Sequence, residues 1–144
     1  MDLPDVNVLI YAHRAEAVEH ERYRDWLAAT VSSQTPFALS ELVAVGFVRI
    51  VTNGRIWSAP TPPELALEFI ARLRDRRNCR PVQPGPESWK IFCDLVAQTK
   101  VRGKLIADAH HAAIAIESGC ELVTADGDFA RFPGLRVRHP FAVA

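Results

Sequence analysis

Short apolar runs alternate along this chain with segments of helical period, and that alternation restricts the fold more than any other feature. Residues 3–5 suit a short strand, with a helix beginning near Val6 and running through Ile10. Residues 16–32 carry Val18, Arg22, Trp26, Leu27 and Val31 as a helical stripe. "PFALS" (36–40) is a strand behind a proline. "ELVAVGFVRIVTN" (41–53) reads as a mostly buried helix stopped by Asn53-Gly54. A third helical stretch begins at Pro62-Pro63, with Leu65, Phe69 and Leu73 in line. "RPVQP" suits another short strand. A further helix carries Trp89, Phe92 and Val96. Residues 105–119 form an Ala-rich helix that ends on a glycine C-cap. Residues 121–126 are a strand, and "RVRHPF" a last short strand or extended tail.

The order is strand, two helices, three times over, followed by two closing strands. Alternation of this kind predicts an α/β fold with a mainly parallel sheet and helices on both faces. The 144 residues are the size of one ordinary domain, so a single domain over 1–144 is expected. Pro4 is unusual inside a strand and predicts that the first strand ends short or irregularly.

In open α/β sheets, sites form outside the carboxyl ends of the strands. The first strand ends at Asp5. The second ends at Ser40 and is followed at once by Glu41. The last long one ends at Thr124, with Asp126 and Asp128 just beyond. A further acid, Asp108, comes from a helix. Leu105, Ala109, Ala112 and Ile116 form its apolar stripe, and Asp108 falls about 60° from the centre of that stripe.

Each acid alone has an ordinary explanation. Asp5 or Asn7 suits a helix N-cap, Glu41 a helix first turn, Asp126 a turn. Together they are harder to place, because four carboxylates aimed at one region repel one another. Hard divalent cations such as Mg²⁺ or Mn²⁺ relieve that repulsion and prefer oxygen ligands. An acidic pocket without His or Cys argues against zinc. Cations held by carboxylates activate water and offset charge in phosphoryl chemistry.

"DVNVLIYAH", "ALSELV", "LIADAHHAAIAIESG", "ELVTADGDFARFPGL" and the closing "HP" together resemble a PIN-domain ribonuclease. More closely they are similar to the VapC toxins of type II toxin–antitoxin modules. The resemblance spans nearly the whole chain. It implies a three-layer α/β/α sandwich and a Mg²⁺- or Mn²⁺-dependent endoribonuclease. It also implies a cognate VapB antitoxin, an RNA substrate with transfer RNA favoured, and a homodimer. Residue by residue, it matches Asp5, Glu41, Asp108 and Asp126 to the four catalytic, metal-holding acids. Asn7 and Thr124 match supporting polar positions, and Asp128 matches an additional acid.

The other features are less specific. Equal numbers of basic and acidic residues, 17 each, give no global field toward nucleic acid or membrane. The 14 Arg against 3 Lys suit a phosphate-contacting rim, or reflect coding bias. Five of those Arg fall in "RLRDRRNCR" (72–80), as a solvated helix end or as an RNA or antitoxin contact. Arg49 pairs with an acid or contacts antitoxin. Cys79, Cys93 and Cys120 fit no metal or disulfide pattern. No run approaches the ~20 apolar residues of a membrane span, so a cytoplasmic protein is expected. His110 and His111 suit packing or surface positions, although His111 lies three residues beyond Asp108 and within its reach.

Two other readings compete. One is a PIN-like module that has lost catalysis and only binds RNA or a partner; the four intact acids argue against it. The other is a receiver-type phosphotransfer domain, which lacks its lysine here: Lys90, Lys100 and Lys104 all fall in or beside helices.

Overall fold

The structure, a computed structural model, describes residues 1–143; Ala144, the last residue of the expected domain, lies outside the described residues. Five strands form one sheet: β1 (Asp2–Pro4), β2 (Phe37–Ser40), β3 (Cys79–Val82), β4 (Glu121–Val123) and β5 (Arg136–Arg138). Their order is β3-β2-β1-β4-β5, and every pairing is parallel. The helices are α1 (Val6–His13), α2 (His20–Ser32), α3 (Glu41–Val51), α4 (Pro63–Arg74), α5 (Ser88–Thr99) and α6 (Leu105–Glu117).

Strand alternation divides the core in two. Phe37 and Leu39 of β2 point into a core built with α1 to α4. Ala38 points the other way and joins Leu3, Leu122 and the buried face of α6, with α5 behind it. The result is the expected three-layer α/β/α sandwich with a parallel sheet.

Pro4 shapes the centre of the sheet. The Asp5 N–H donates to the Val123 carbonyl, so alternate residues of β1 face β4. Pro4 faces β2 and has no N–H to give. β1 accordingly pairs with β4 at three positions but with β2 only at Asp2 and Phe37. β1 thus ends at Pro4, and the chain turns at once into α1.

Several helical stripes differ from expectation. In α4, Leu65 is 51% exposed, and Ala66, Ile70 and Leu73 carry the buried face. Trp89 is 72% exposed, while Phe92 and Val96 pack half-buried against the core beside the buried Ser88 and Leu95 of α5. α2 starts at His20, leaving Val18 and Arg22 exposed, and buries Tyr23 and Leu27. Each displacement has one cause. An apolar residue one step round the helix satisfies the same i, i+4 spacing, and only the neighbouring layer decides between the two faces.

Two polar clamps hold the connectors. Arg14, buried after α1, donates to the Thr61 hydroxyl (3.0 Å), the Ala59 carbonyl (2.8 Å) and Glu16, and its guanidinium lies 4.5 Å from the Trp57 ring. Glu117 accepts from the Gly85 and Glu87 N–H groups at 2.6 and 2.7 Å, which fixes the entry to α5. Among the described residues, no helix is long and apolar enough to cross a membrane.

Candidate active site

Asp5 follows the last residue of β1 and caps α1. Its Oδ1 accepts from the Val6 N–H at 2.7 Å. Its Oδ2 accepts from the Thr124 hydroxyl at 2.7 Å and from the Asn7 side-chain amide at 3.1 Å. The carboxylate is buried, and donors surround it. An ionised buried carboxylate requires such donors.

Asn7 is not the cap. Its side-chain oxygen accepts from the Ala125 N–H at 3.2 Å, so it ties the first turn of α1 to the end of β4. Thr124 completes the link: its hydroxyl accepts from the Asp126 N–H at 3.0 Å while donating to Asp5. Asp126 in turn accepts from the Asp128 N–H at 2.9 Å and caps the 3₁₀ turn Gly127–Arg131. Asp128 is exposed and faces Arg131 at 3.6 Å.

Asp108 lies in the first turn of α6, half-buried at the border of the apolar face. Burial, then the charges of Asp126, Asp5 and Asp128, push its carboxyl up to about 6, with Arg131 opposing. Acids from the ends of β1 and β4 and from α6 therefore share one negative field. Glu41 is not among the charges acting on Asp108. It sits exposed at the start of α3, toward β3, where the Gln83 amide approaches it at 3.4 Å. Among the described residues, no three His, Cys, Asp or Glu side chains stand close enough together to hold a metal ion.

Beside Asp5 and Asp108 opens a cavity of about 260 Å³, lined on its far side by Leu42, Val45 and Arg49 of α3. Arg49 forms no ion pair there among the described residues. Of the Arg of 72–80, Arg76, Arg77 and Arg80 group with residues 31–34 at the amino end of β3, while Arg74 lines a small pocket with Ser40, Glu41 and Gln83. Arg72 pairs with Glu68, Arg76 donates to the Val31 carbonyl and Arg80 to that of Arg77.

His111 takes the packing position that the sequence allowed, but with a partner that the sequence did not show. It is reached by burial rather than by solvent, and it faces Asp5 rather than Asp108, with Nε2 3.5 Å from Asp5 Oδ1. Burial lowers its pKa, partly opposed by the Asp5 charge. Its spacing from Asp108 was the available signal, but the partner, Asp5, comes from the β1–α1 junction.

The PIN-domain family matches residues 3–135. The chain is 41% identical over 136 residues to Ribonuclease VapC43 of Mycobacterium tuberculosis, covering 94% of this chain and 92% of that protein. It is 36% identical over 140 residues to Ribonuclease VapC25 of the same organism, covering 97% and 99%. The fold is similar to VapBC2 from Rickettsia felis bound to a promoter DNA fragment, with a TM-score of 0.71 at 18% identity over 96% of this chain and 97% of that one. It is also similar to Mycobacterium tuberculosis VapC20, a sarcin-ricin loop cleaving toxin, with a TM-score of 0.68 at 16% identity over 94% and 99%. At such identities the structural likeness bears on the fold alone.

Proposed function

The chain belongs to the PIN-domain family, among its VapC ribonucleases, and from that premise we propose that it is a Mg²⁺- or Mn²⁺-dependent endoribonuclease, the toxin of a type II toxin–antitoxin pair. One observation supports the metal reading: burial, and then the gathered charges of Asp126, Asp5 and Asp128, raise the Asp108 carboxyl to about 6. The acids offer negatively charged oxygen donors, which suit a hard divalent cation, although the His111 imidazole lines the same cavity.

Asp5 and Asp108 would hold the cation, with Asp126 and Glu41 completing its surroundings directly or through water. A cation held there would supply water activation and charge compensation for cleavage of an RNA phosphodiester. Thr124 and Asn7 hold Asp5 in orientation by donating to Oδ2. Asp128 holds Arg131 beside the edge, where a guanidinium suits an RNA phosphate. Arg49 offers a second such contact across the cavity.

The exposed apolar residues Leu42 and Val45 support a VapB-type antitoxin segment covering the cavity and the acids behind it. Transfer RNA is the favoured substrate, in the cytoplasm, with the toxin a single PIN domain acting as a homodimer.

The test is cleavage of structured RNAs by purified protein freed of antitoxin. Wild type with Mg²⁺ or Mn²⁺ cuts; EDTA and Asp5→Ala each abolish cutting. Cleavage that survives both refutes the proposal, as does wild-type protein that cuts nothing.

A further inference from the structure

We propose that His111 is a positioning residue for Asp5: with its proton on Nε2, the imidazole completes the set of donors that fixes the Asp5 carboxylate for a divalent cation. The inference rests on the metal-dependent reading above and deepens it.

His111 sits on α6, one turn after Asp108, and is only 4% exposed. Among the described residues, neither ring nitrogen has a hydrogen-bond partner. Among the described residues, the Ser40 hydroxyl is the only other buried side-chain group so left. A buried polar group without a partner destabilises a fold, and native proteins rarely keep one without a reason. A leucine there would fill similar space without that penalty. The imidazole therefore has a use outside core packing.

Its surroundings identify the use. Nε2 stands 3.5 Å from Asp5 Oδ1, a few tenths of an ångström beyond a normal hydrogen bond. Oδ2 already has two side-chain donors, Thr124 and Asn7. Oδ1 has only the Val6 N–H. The Phe129 ring lies edge-on to the imidazole at 5.9 Å and limits its rotation. The vacant acceptor capacity of Asp5 and the unused N–H of His111 thus face each other. A small closure pairs them and gives both carboxylate oxygens side-chain donors. α6 then places Asp108 directly and Asp5 through His111, so one helix sets two of the proposed ligands. Outer partners of this kind change metal affinity about 10–100-fold when removed.

The test uses His111→Leu and His111→Gln in the full chain, with Mn²⁺ as the probe. Unfolding without metal, Mn²⁺ affinity by calorimetry, and pulsed electron paramagnetic resonance of the Mn²⁺ complex are measured. The Leu variant should be at least as stable as wild type without metal, yet bind Mn²⁺ about tenfold or more weakly. The Gln variant, which keeps a donor near Nε2, should recover most of the affinity. The wild-type complex should show no directly bound nitrogen. Unchanged affinity in the Leu variant overturns the inference alone, and so does a Leu variant that unfolds, since the ring then serves the core. A nitrogen bound to Mn²⁺ also overturns it, making His111 a ligand. Wild type that binds no Mn²⁺ overturns both this inference and the metal-dependent reading.

Discussion

The Thr124 hydroxyl donates to Asp5 Oδ2 at 2.7 Å, joining the ends of β4 and β1 across 119 positions of sequence. It also accepts from the Asp126 N–H, so one side chain organises two of the proposed acids. Thr124→Val keeps the shape and removes both interactions, together with the longer donation from the Asn7 amide at 3.3 Å. It should destabilise the protein by roughly 1–3 kcal/mol and slow RNA cleavage, while Thr124→Ser should retain most of both. Denaturant unfolding and single-turnover cleavage check this.

Asp108 predicts an unusual dependence of stability on pH. Its carboxyl is raised from 3.8 to about 6 in the folded state. Below pH 4 both states are protonated and nothing is lost. Between about 4 and 6 the unfolded chain gives up the proton first, so native stability falls as pH rises. Above 6 the full penalty remains, moderated by solvent because the group is only half-buried. Asp108→Asn should therefore melt higher than wild type at pH 7.5 in metal-free buffer, with the gain vanishing near pH 4. Added Mn²⁺ should raise the wild-type melting temperature and narrow the difference. Melting curves across pH measure both effects.

Glu117 and Gly85 form a coupled pair. A Cβ on Gly85 would lie 2.7 Å from the Glu117 carboxylate, which would have to swing away and release both N–H groups. Gly85→Ala and Glu117→Ala should each cost about 1–2 kcal/mol, and the double variant little more than either. A double-mutant cycle in urea checks the coupling.

Arg14 should matter for folding and not for chemistry. Arg14→Lys loses the fork that spans Thr61, Ala59 and Glu16, and the stacking on Trp57. A loss of roughly 2 kcal/mol is expected, with the cleavage rate of the folded protein unchanged. Unfolding and cleavage measured on one preparation separate the two.

Much of this arrangement was legible in the sequence. The alternation of elements gave the parallel sheet, and the strand ends led to Asp5, Glu41 and Asp126. The position of Asp108 at the border of its helical face followed from 100° per residue. What escaped depends on contacts between elements. Leu65 and Trp89 lie within a residue of a buried stripe, and only the facing layer shows them exposed. His111 turns to the carboxylate that caps α1, which helical spacing along α6 does not reveal. The position of Glu41 beside Gln83, toward β3, likewise depends on strand order, which the linear sequence leaves open.

The most direct measurement is anomalous diffraction from crystals of the protein freed of antitoxin and soaked in Mn²⁺. The account predicts an anomalous peak adjoining the carboxylates of Asp5 and Asp108, absent in Asp108→Asn. No peak at that edge, or one that persists in the Asp108→Asn crystals, would contradict it.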